Sequence, residues 1–132
     1  MIKIYIDGAS IGNPGKTGIG YLIYKNNKLL KKESISLGVQ TNNFAEYMAL
    51  IFSLADLLSM GEKKCQVFSD SNLLCEQIKG NFKTKNQNIY PLYVLAKNLI
   101  AKLDEFSLSH IPREKNKEAD QLAKKATGFL TM

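Results

Sequence analysis

The chain has 132 residues, of which 45% are apolar and 23% are charged, a composition typical of one folded domain that spans residues 1–132. These values exclude collagen-like, disordered and disulfide-scaffold proteins, and no apolar run approaches the roughly 20 residues needed to span a bilayer. Lys and Arg outnumber Asp and Glu by 18 to 12, a net charge of +6. This charge fits either an anionic partner such as nucleic acid or a surface that lysine keeps soluble.

The start of the chain predicts a cytoplasmic protein, because the charged Asp7 comes too soon for the apolar region of a signal peptide. Cys65 and Cys75 match no zinc spacing, so both are predicted to be reduced thiols. From the length of the chain we expect a monomer that needs no protein partner and no membrane.

The first half of the chain predicts a meander of three strands and then a long helix. Strands are predicted over residues 2–6, 20–24 and 28–39, with an Asn26–Asn27 turn before the third. Residues 9–17 are rich in Gly and Pro and predict a turn rather than a regular element. Apolar residues at helical spacing predict a helix over 43–60, capped by Thr41 or Asn42 and closed by Gly61.

The second half alternates short strands with helices. Strands are predicted over residues 65–69 and 106–111, and helices over 71–79, 90–103 and 114–127, with a polar loop over 81–89. This order, βββαβααβα, predicts an α/β protein with a mixed sheet covered by helices.

Four acids stand where the predicted elements begin or end. Asp7 and Asp70 each follow a strand, whereas Glu46 and Asp120 lie early in two helices. Binding sites in open α/β sheets form outside the carboxyl ends of the strands, so Asp7 and Asp70 could be neighbours there. An all-oxygen ligand set suits Mg²⁺ or Mn²⁺ rather than zinc. Each acid taken alone is also consistent with a solvated surface charge.

The residues around these acids resemble motifs of the type 1 ribonuclease H family. The segments are Asp7-Gly-Ala-Ser-Ile-Gly-Asn-Pro-Gly15, Thr41-Asn-Asn-Phe-Ala-Glu46, Ser69-Asp-Ser71 and Arg113-Glu-Lys-Asn-Lys-Glu-Ala-Asp120. They occur in the family's order and cover essentially the whole chain. The resemblance implies a ribonuclease H-like fold, with a five-stranded mixed sheet ordered 3-2-1-4-5, strand 2 antiparallel, and flanking helices. It also implies an endoribonuclease that hydrolyses the RNA strand of RNA–DNA hybrids and leaves 5′-phosphate and 3′-hydroxyl ends.

The same resemblance implies a ligand set for two Mg²⁺ ions, with Mn²⁺ as a possible substitute. Asp7 would bridge both ions, Asp120 would help to hold the ion that activates water, and Glu46 with Asp70 would hold the ion beside the leaving oxygen. Two such ions stabilise the attacking and leaving oxygens of an in-line displacement.

Substrate contacts are predicted mainly from polar and small residues beside the acids. By similarity to the family, Asn13 and Asn43 touch the minor groove of the hybrid, where 2′-hydroxyls are displayed. Gly8 and Ser71 are small residues that would leave room for a ligand, and the glycines of the first turn would let backbone N–H groups approach closely. The full predicted set is Gly8, Ser10, Gly12, Asn13, Asn42, Asn43, Ser71, Asn72, Lys83, Lys85 and Arg113. The sequence leaves open whether double-stranded RNA is cut as well.

The chain departs from many family members at two places. The basic helical protrusion is absent or vestigial, so Lys83 and Lys85 of the short loop are predicted to supply phosphate contacts. In the loop before Asp120, where many members carry a histidine, the chain has Arg113. This residue is predicted to contact the substrate phosphate, and the alternative is an ion pair with Glu114 or Glu118 at the start of a helix. The one histidine, His110, shares a strand face with Phe106 and is predicted to be a packing residue.

Three other functions compete with this prediction. Gly15-Lys16-Thr17 resembles the end of a phosphate-binding loop, but Ser10 stands where that motif needs glycine and a strand follows instead of a helix. A nucleic-acid-binding module that does not cut would be indicated by loss of one acid, and all four are present. A basic structural domain with scattered acids is the remaining alternative.

Overall fold

The computed structural model describes residues 1–128 and contains one five-stranded sheet with helices on both faces. The strands are β1 (Ile2–Ile11), β2 (Gly15–Lys25), β3 (Lys28–Gln40), β4 (Lys64–Ser69) and β5 (Glu105–His110). The helices are α1 (Asn42–Ser59), α2 (Asn72–Lys79), α3 (Tyr90–Ala101) and α4 (Lys117–Ala126), and a 3₁₀ turn covers Arg113–Lys115. No helix among the described residues is long and apolar enough to cross a membrane.

The strand order is β3-β2-β1-β4-β5, which confirms the predicted fold class. Strand β2 is antiparallel to both neighbours, and β4 is parallel to β1 and β5. Alternation along β1 directs Ile2, Ile4 and Ile6 into the main core, where they pack with the buried residues of α1. Helix α4 covers the opposite face. The sheet therefore places its parallel strand ends between α1 and α4.

Several predicted helix ends and turns are confirmed. Thr41, rather than Asn42, caps α1, because its side-chain oxygen accepts a hydrogen bond from the Phe44 N–H. Gly80 closes α2 at φ +85°. Asn26 and Asn27 both have positive φ in the tight turn between β2 and β3.

The prediction of a turn over residues 9–17 is wrong. Strands β1 and β2 pair as far as Ile11 and Lys16, so that only residues 12–14 form the turn. Strand β2 also begins before residue 20, where it was predicted to start, and its Gly18 and Gly20 lie directly against α4. A Cβ atom at either position would come within 2.5 Å of α4 atoms.

The final predicted helix, residues 114–127, is also corrected. The chain forms the 3₁₀ turn first and enters α4 only at Lys117, after Asn116, whose φ of −124° and ψ of 26° are not helical. Amphipathic spacing alone cannot reveal this break, because helix formers fill both sides of Asn116.

Candidate active site

Asp7 and Asp70 are brought together where two parallel strands separate. The pairing of β1 with β4 ends at Ile6 and Ser69, the residues that directly precede the two acids. Asp7 is buried at 4% exposure and Asp70 is partly buried. The sheet therefore confirms the prediction that these two acids are neighbours at the carboxyl ends of their strands.

Glu46 joins them from α1. It is 9% exposed, and carboxylate oxygens of Asp7, Glu46 and Asp70 lie within 4.8 Å of one another. Gly8 makes this approach possible, because a Cβ atom there would lie 2.7 Å from carbon atoms of Ala45. The space that the sequence assigned to a ligand at Gly8 is filled by α1.

Asp120 lies at the side of this cluster rather than inside it. A side-chain contact with Asp120 adds to the raised pKa of Asp7, whereas Asp120 is not among the three acids grouped within 4.8 Å. On its outer side Asp120 forms an ion pair with Lys124, one helical turn along α4, with Nζ and Oδ2 separated by 3.0 Å. The structure thus brings all four predicted acids to one region, as a group of three with the fourth joined through Asp7.

The acids repel one another strongly in the absence of a cation. Burial, followed by the charges of Glu46 and Asp70, raises the pKa of Asp7 well above its ordinary range. Burial and the charge of Asp70 also raise the pKa of Glu46, while hydrogen bonds from Asp7 and the Gly8 N–H and the positive charge of Arg113 act in the opposite direction. A bound cation would offset the repulsion and the desolvation that raise these two pKa values.

The donor atoms fit a hard divalent cation. Glu46 Oε2 and Asp70 Oδ2 are buried without a hydrogen-bond partner among residues 1–128. Buried oxygens of this kind carry a desolvation cost that an ion would offset. All the donors are carboxylates, which suit Mg²⁺ or Mn²⁺, and neither thiol takes part, because Cys65 and Cys75 are buried and free.

The β1–β2 turn and the start of α1 hold most of the predicted substrate contacts. Asn13 Oδ1 accepts a hydrogen bond of 3.0 Å from the Asn42 N–H, so the turn and the helix form one continuous edge. Asn43 Oδ1 is buried without a partner within the described part of the chain. Ser10 directs its hydroxyl to the backbone carbonyl groups of Gly12 and Gln40. Gly12 adopts φ +88° in the turn.

Ser71 and Asn72 follow Asp70 at the start of α2. Ser71 caps the helix by accepting from the Leu74 N–H at 3.2 Å, which gives its side chain a structural role. Asn72 is exposed. Lys83 and Lys85 lie in the exposed loop after α2, and no contact in the described structure joins them to the acids. The roles assigned to all four in substrate binding stay predictions.

The last residue of β5 and the first residue of the 3₁₀ turn also lie near the acids. Arg113 is exposed, yet its charge lowers the pKa of Glu46. His110 is exposed too, with Nε2 3.3 Å from the carbonyl oxygen of Asp70. The prediction that His110 is a packing residue is wrong, because β5 is an edge strand and its final residue extends beyond the apolar cover. Alternation gives the face of a strand residue but not whether that face is covered.

Comparisons with known proteins agree with this architecture. Residues 5–126 match the family model described as reverse transcriptase-like. Ribonuclease HI of Halobacterium salinarum is 34% identical over 126 residues, 95% of this chain and 63% of the relative. The bifunctional protein Rv2228c of Mycobacterium tuberculosis is 35% identical over 95% of this chain, which spans only 35% of that relative's length. The crystal structure of LC11-RNase H1 in complex with RNA/DNA hybrid is 35% identical and superimposes with a TM-score of 0.92 over 100% of both chains.

A mixed sheet of order 3-2-1-4-5 with carboxylates at its parallel strand ends defines a ribonuclease H-like protein. The chain belongs to the type 1 ribonuclease H family.

Proposed function

We propose that this chain is a divalent-metal-dependent endoribonuclease that hydrolyses the RNA strand of RNA–DNA hybrids. The observation that carries the proposal is the cluster of Asp7, Glu46 and Asp70, with carboxylate oxygens within 4.8 Å and two of them buried without partners. A structural role does not account for Asp7 and Glu46, two buried acids whose pKa values are raised by burial and by neighbouring carboxylates, in a chain of net charge +6. Such perturbed clusters mark functional sites.

Four acids would hold the metal ions. Asp7 belongs to the three-acid group and also contacts Asp120, so it would help to hold the ions together with Glu46, Asp70 and Asp120. Two bound Mg²⁺ ions would supply an activated water and stabilise the charge on the attacking and leaving oxygens. Cleavage of this type leaves a 5′-phosphate and a 3′-hydroxyl.

The protein's own residues would orient the substrate. Asn13, Asn42 and Asn43 line the edge beside Glu46, and amides both donate to and accept from 2′-hydroxyls in the wide minor groove. The related LC11-RNase H1, solved in complex with RNA/DNA hybrid, supports this choice of substrate. The guanidinium group of Arg113 would engage the scissile phosphate and favour release of the product.

The first test is cleavage of an end-labelled RNA–DNA hybrid with Mg²⁺ or with excess EDTA. Wild type should cut the RNA strand only when the metal is present. Asp70→Asn should lose nearly all cleavage while it retains hybrid binding, because it removes a metal ligand and not a phosphate contact. Asp104→Asn is the matched control, since Asp104 is exposed in the turn before β5.

Cleavage that persists in EDTA, or wild-type rates from pure Asp70→Asn, would overturn the proposal. Double-stranded RNA and DNA duplexes of the same sequence define the substrate range in the same assay. The proposal includes a monomeric, cytoplasmic enzyme, and sedimentation of the protein with and without hybrid tests the oligomeric state.

A further inference from the structure

Asn116 is a buried polar residue at the junction between the 3₁₀ turn and α4. Its side chain is only 2% exposed. The helix that follows receives no cap from it, because Asn116 forms no side-chain hydrogen bond to the first turn. An amide buried at this position needs a partner, since an unpaired polar group in the interior is costly.

That partner belongs to β1. Asn116 Nδ2 donates a hydrogen bond of 2.8 Å to the carbonyl oxygen of Ile6, 110 residues earlier in the chain. Ile6 directly precedes Asp7, so the bond reaches the backbone beside the central acid of the cluster. Its other atom, Oδ1, is buried without a partner among the described residues. The donor is therefore the atom that fixes this side chain.

The backbone of Asn116 extends the connection in both directions. Its N–H donates to the carbonyl oxygen of Arg113 at 2.9 Å, and its carbonyl oxygen accepts from the Asp120 N–H at 3.0 Å. One residue thus ties the strand that carries Asp7 to the turn that begins with Arg113 and to the helical turn that carries Asp120.

We infer that Asn116 is a positioning residue that sets the place of Asp120 relative to Asp7, and through this the affinity of that carboxylate pair for a divalent cation. The inference rests on the proposed metal-dependent function. It assigns to Asn116 no contact with metal or substrate, because the side chain acts only through the backbone of Ile6.

Contacts other than the Asn116 hydrogen bond hold the body of α4 against the sheet. An effect of Asn116 on metal binding can therefore be distinguished from an effect on folding stability. Gly18 and Gly20 let the helix lie directly on β2, and Ser34 Oγ donates to the Leu122 carbonyl oxygen at 2.6 Å. Without the Asn116 bond, the helix stays packed through these contacts while its first turn loses its link to β1. Asp120 lies in that first turn.

The test uses two variants of Asn116 and one control. Asn116→Ala removes the donor. Asn116→Ser also fails to reach Ile6, but serine favours the start of a helix and can restore stability through a new cap. Asn98→Ala is the control, because Asn98 Nδ2 donates to the Val94 carbonyl oxygen at the same 2.8 Å on the exposed face of α3.

Binding of Mn²⁺ alone, measured by calorimetry without nucleic acid, is the main readout. Both Asn116 variants should bind Mn²⁺ at least about tenfold more weakly, the usual loss when a residue supporting a metal ligand is removed. Asn98→Ala should bind as wild type does. With hybrid substrate, both variants should lose kcat at limiting metal, recover part of it in excess Mn²⁺, and keep KM within about twofold.

The melting temperatures of the variants then distinguish positioning of the acids from general destabilisation of the fold. If Asn116→Ser melts like wild type and still binds Mn²⁺ weakly, the residue positions the acids. If Mn²⁺ affinity follows the melting temperature across the variants, or does not change, the inference is overturned. A wild-type protein that binds Mn²⁺ in an Asn116-dependent manner but leaves hybrids intact would instead contradict the proposed function alone.

Discussion

The missing side chain of Gly8 decides where Glu46 stands. Strand β1 runs beneath the first turns of α1, and a Cβ atom at Gly8 would lie 2.7 Å from Ala45 carbons and 2.8 Å from the Glu46 nitrogen. These are mostly backbone atoms of a helix, which cannot move aside as the end of a flexible side chain can. The Gly8 N–H also donates to the Glu46 carboxylate. One residue therefore sets both the distance and the orientation of this acid.

Gly8→Ala should consequently damage metal binding more than stability alone explains. Overpacking of this kind costs about 1–3 kcal/mol of unfolding free energy. Gly38→Ala is the control, since Gly38 has φ +74° with open space around it, and its left-handed backbone costs alanine about 1–2 kcal/mol without a collision. Denaturation measures stability, and calorimetry measures Mn²⁺ affinity. Equal affinity in the two variants would show that Gly8 does not place Glu46.

The elements show which parts of the site a sequence can predict. Asp7 and Asp70 are predictable as neighbours because each follows a strand and parallel strand ends meet at one edge. The family motifs identify Glu46 and Asp120, but no local pattern shows that Asp120 stands beside the group of three. The role of Asn116 was not predicted, since its hydrogen bond depends on a contact across 110 residues. The Gly- and Pro-rich composition of residues 9–17 predicts a turn there, although only 12–14 lie outside β1 and β2.

The loop between α2 and α3 is the segment for which the sequence predicts that the family's basic protrusion is absent or vestigial. It follows α2, which is joined to α1 by the hydrogen bond from Tyr47 OH to Gln77 Oε1 at 2.9 Å. Lys83 and Lys85 are exposed there, and neither forms an ion pair within residues 1–128. Exposed lysines without ion pairs among the described residues are suited to phosphate contacts.

Lys83→Ala combined with Lys85→Ala should raise KM for the hybrid and leave single-turnover chemistry near normal. If each lysine neutralises one phosphate, the slope of log K against log salt should fall by about one to two units. The control pair is Lys63→Ala with Lys64→Ala, at the opposite end of β4 from Asp70. Binding at several salt concentrations measures the slope. Equal slopes for the two double variants would place the loop outside the interface.

Charge is distributed unevenly over the whole molecule. The chain carries a net charge of +6, yet its buried acids are gathered at one point between α1 and α4. The raised pKa values of Asp7 and Glu46 make the folding stability of the metal-free protein depend on pH.

Metal-free protein should lose stability as the pH rises from about 5 to 8. The folded-state pKa values of Asp7 and Glu46 lie above their ordinary values of 3.8 and 4.5. Between the two sets of values the folded state binds more protons than the unfolded chain, so the unfolding free energy falls with increasing pH. The stabilisation is complete below the ordinary values and is lost as the pH passes through the folded-state values.

Added Mg²⁺ should reverse this trend, because ions bind the deprotonated acids of the folded state and the unfolded chain has no such site. Melting temperatures recorded across this pH range in EDTA and in Mg²⁺ should therefore diverge as the pH increases. Asp7→Asn should flatten the EDTA curve, since it removes the central acid and its repulsion, whereas Asp104→Asn should follow wild type. A wild-type protein whose melting temperature in EDTA rises with pH relative to Asp7→Asn would contradict this account of the cluster, because the acids would then be stabilised as carboxylates without any metal ion.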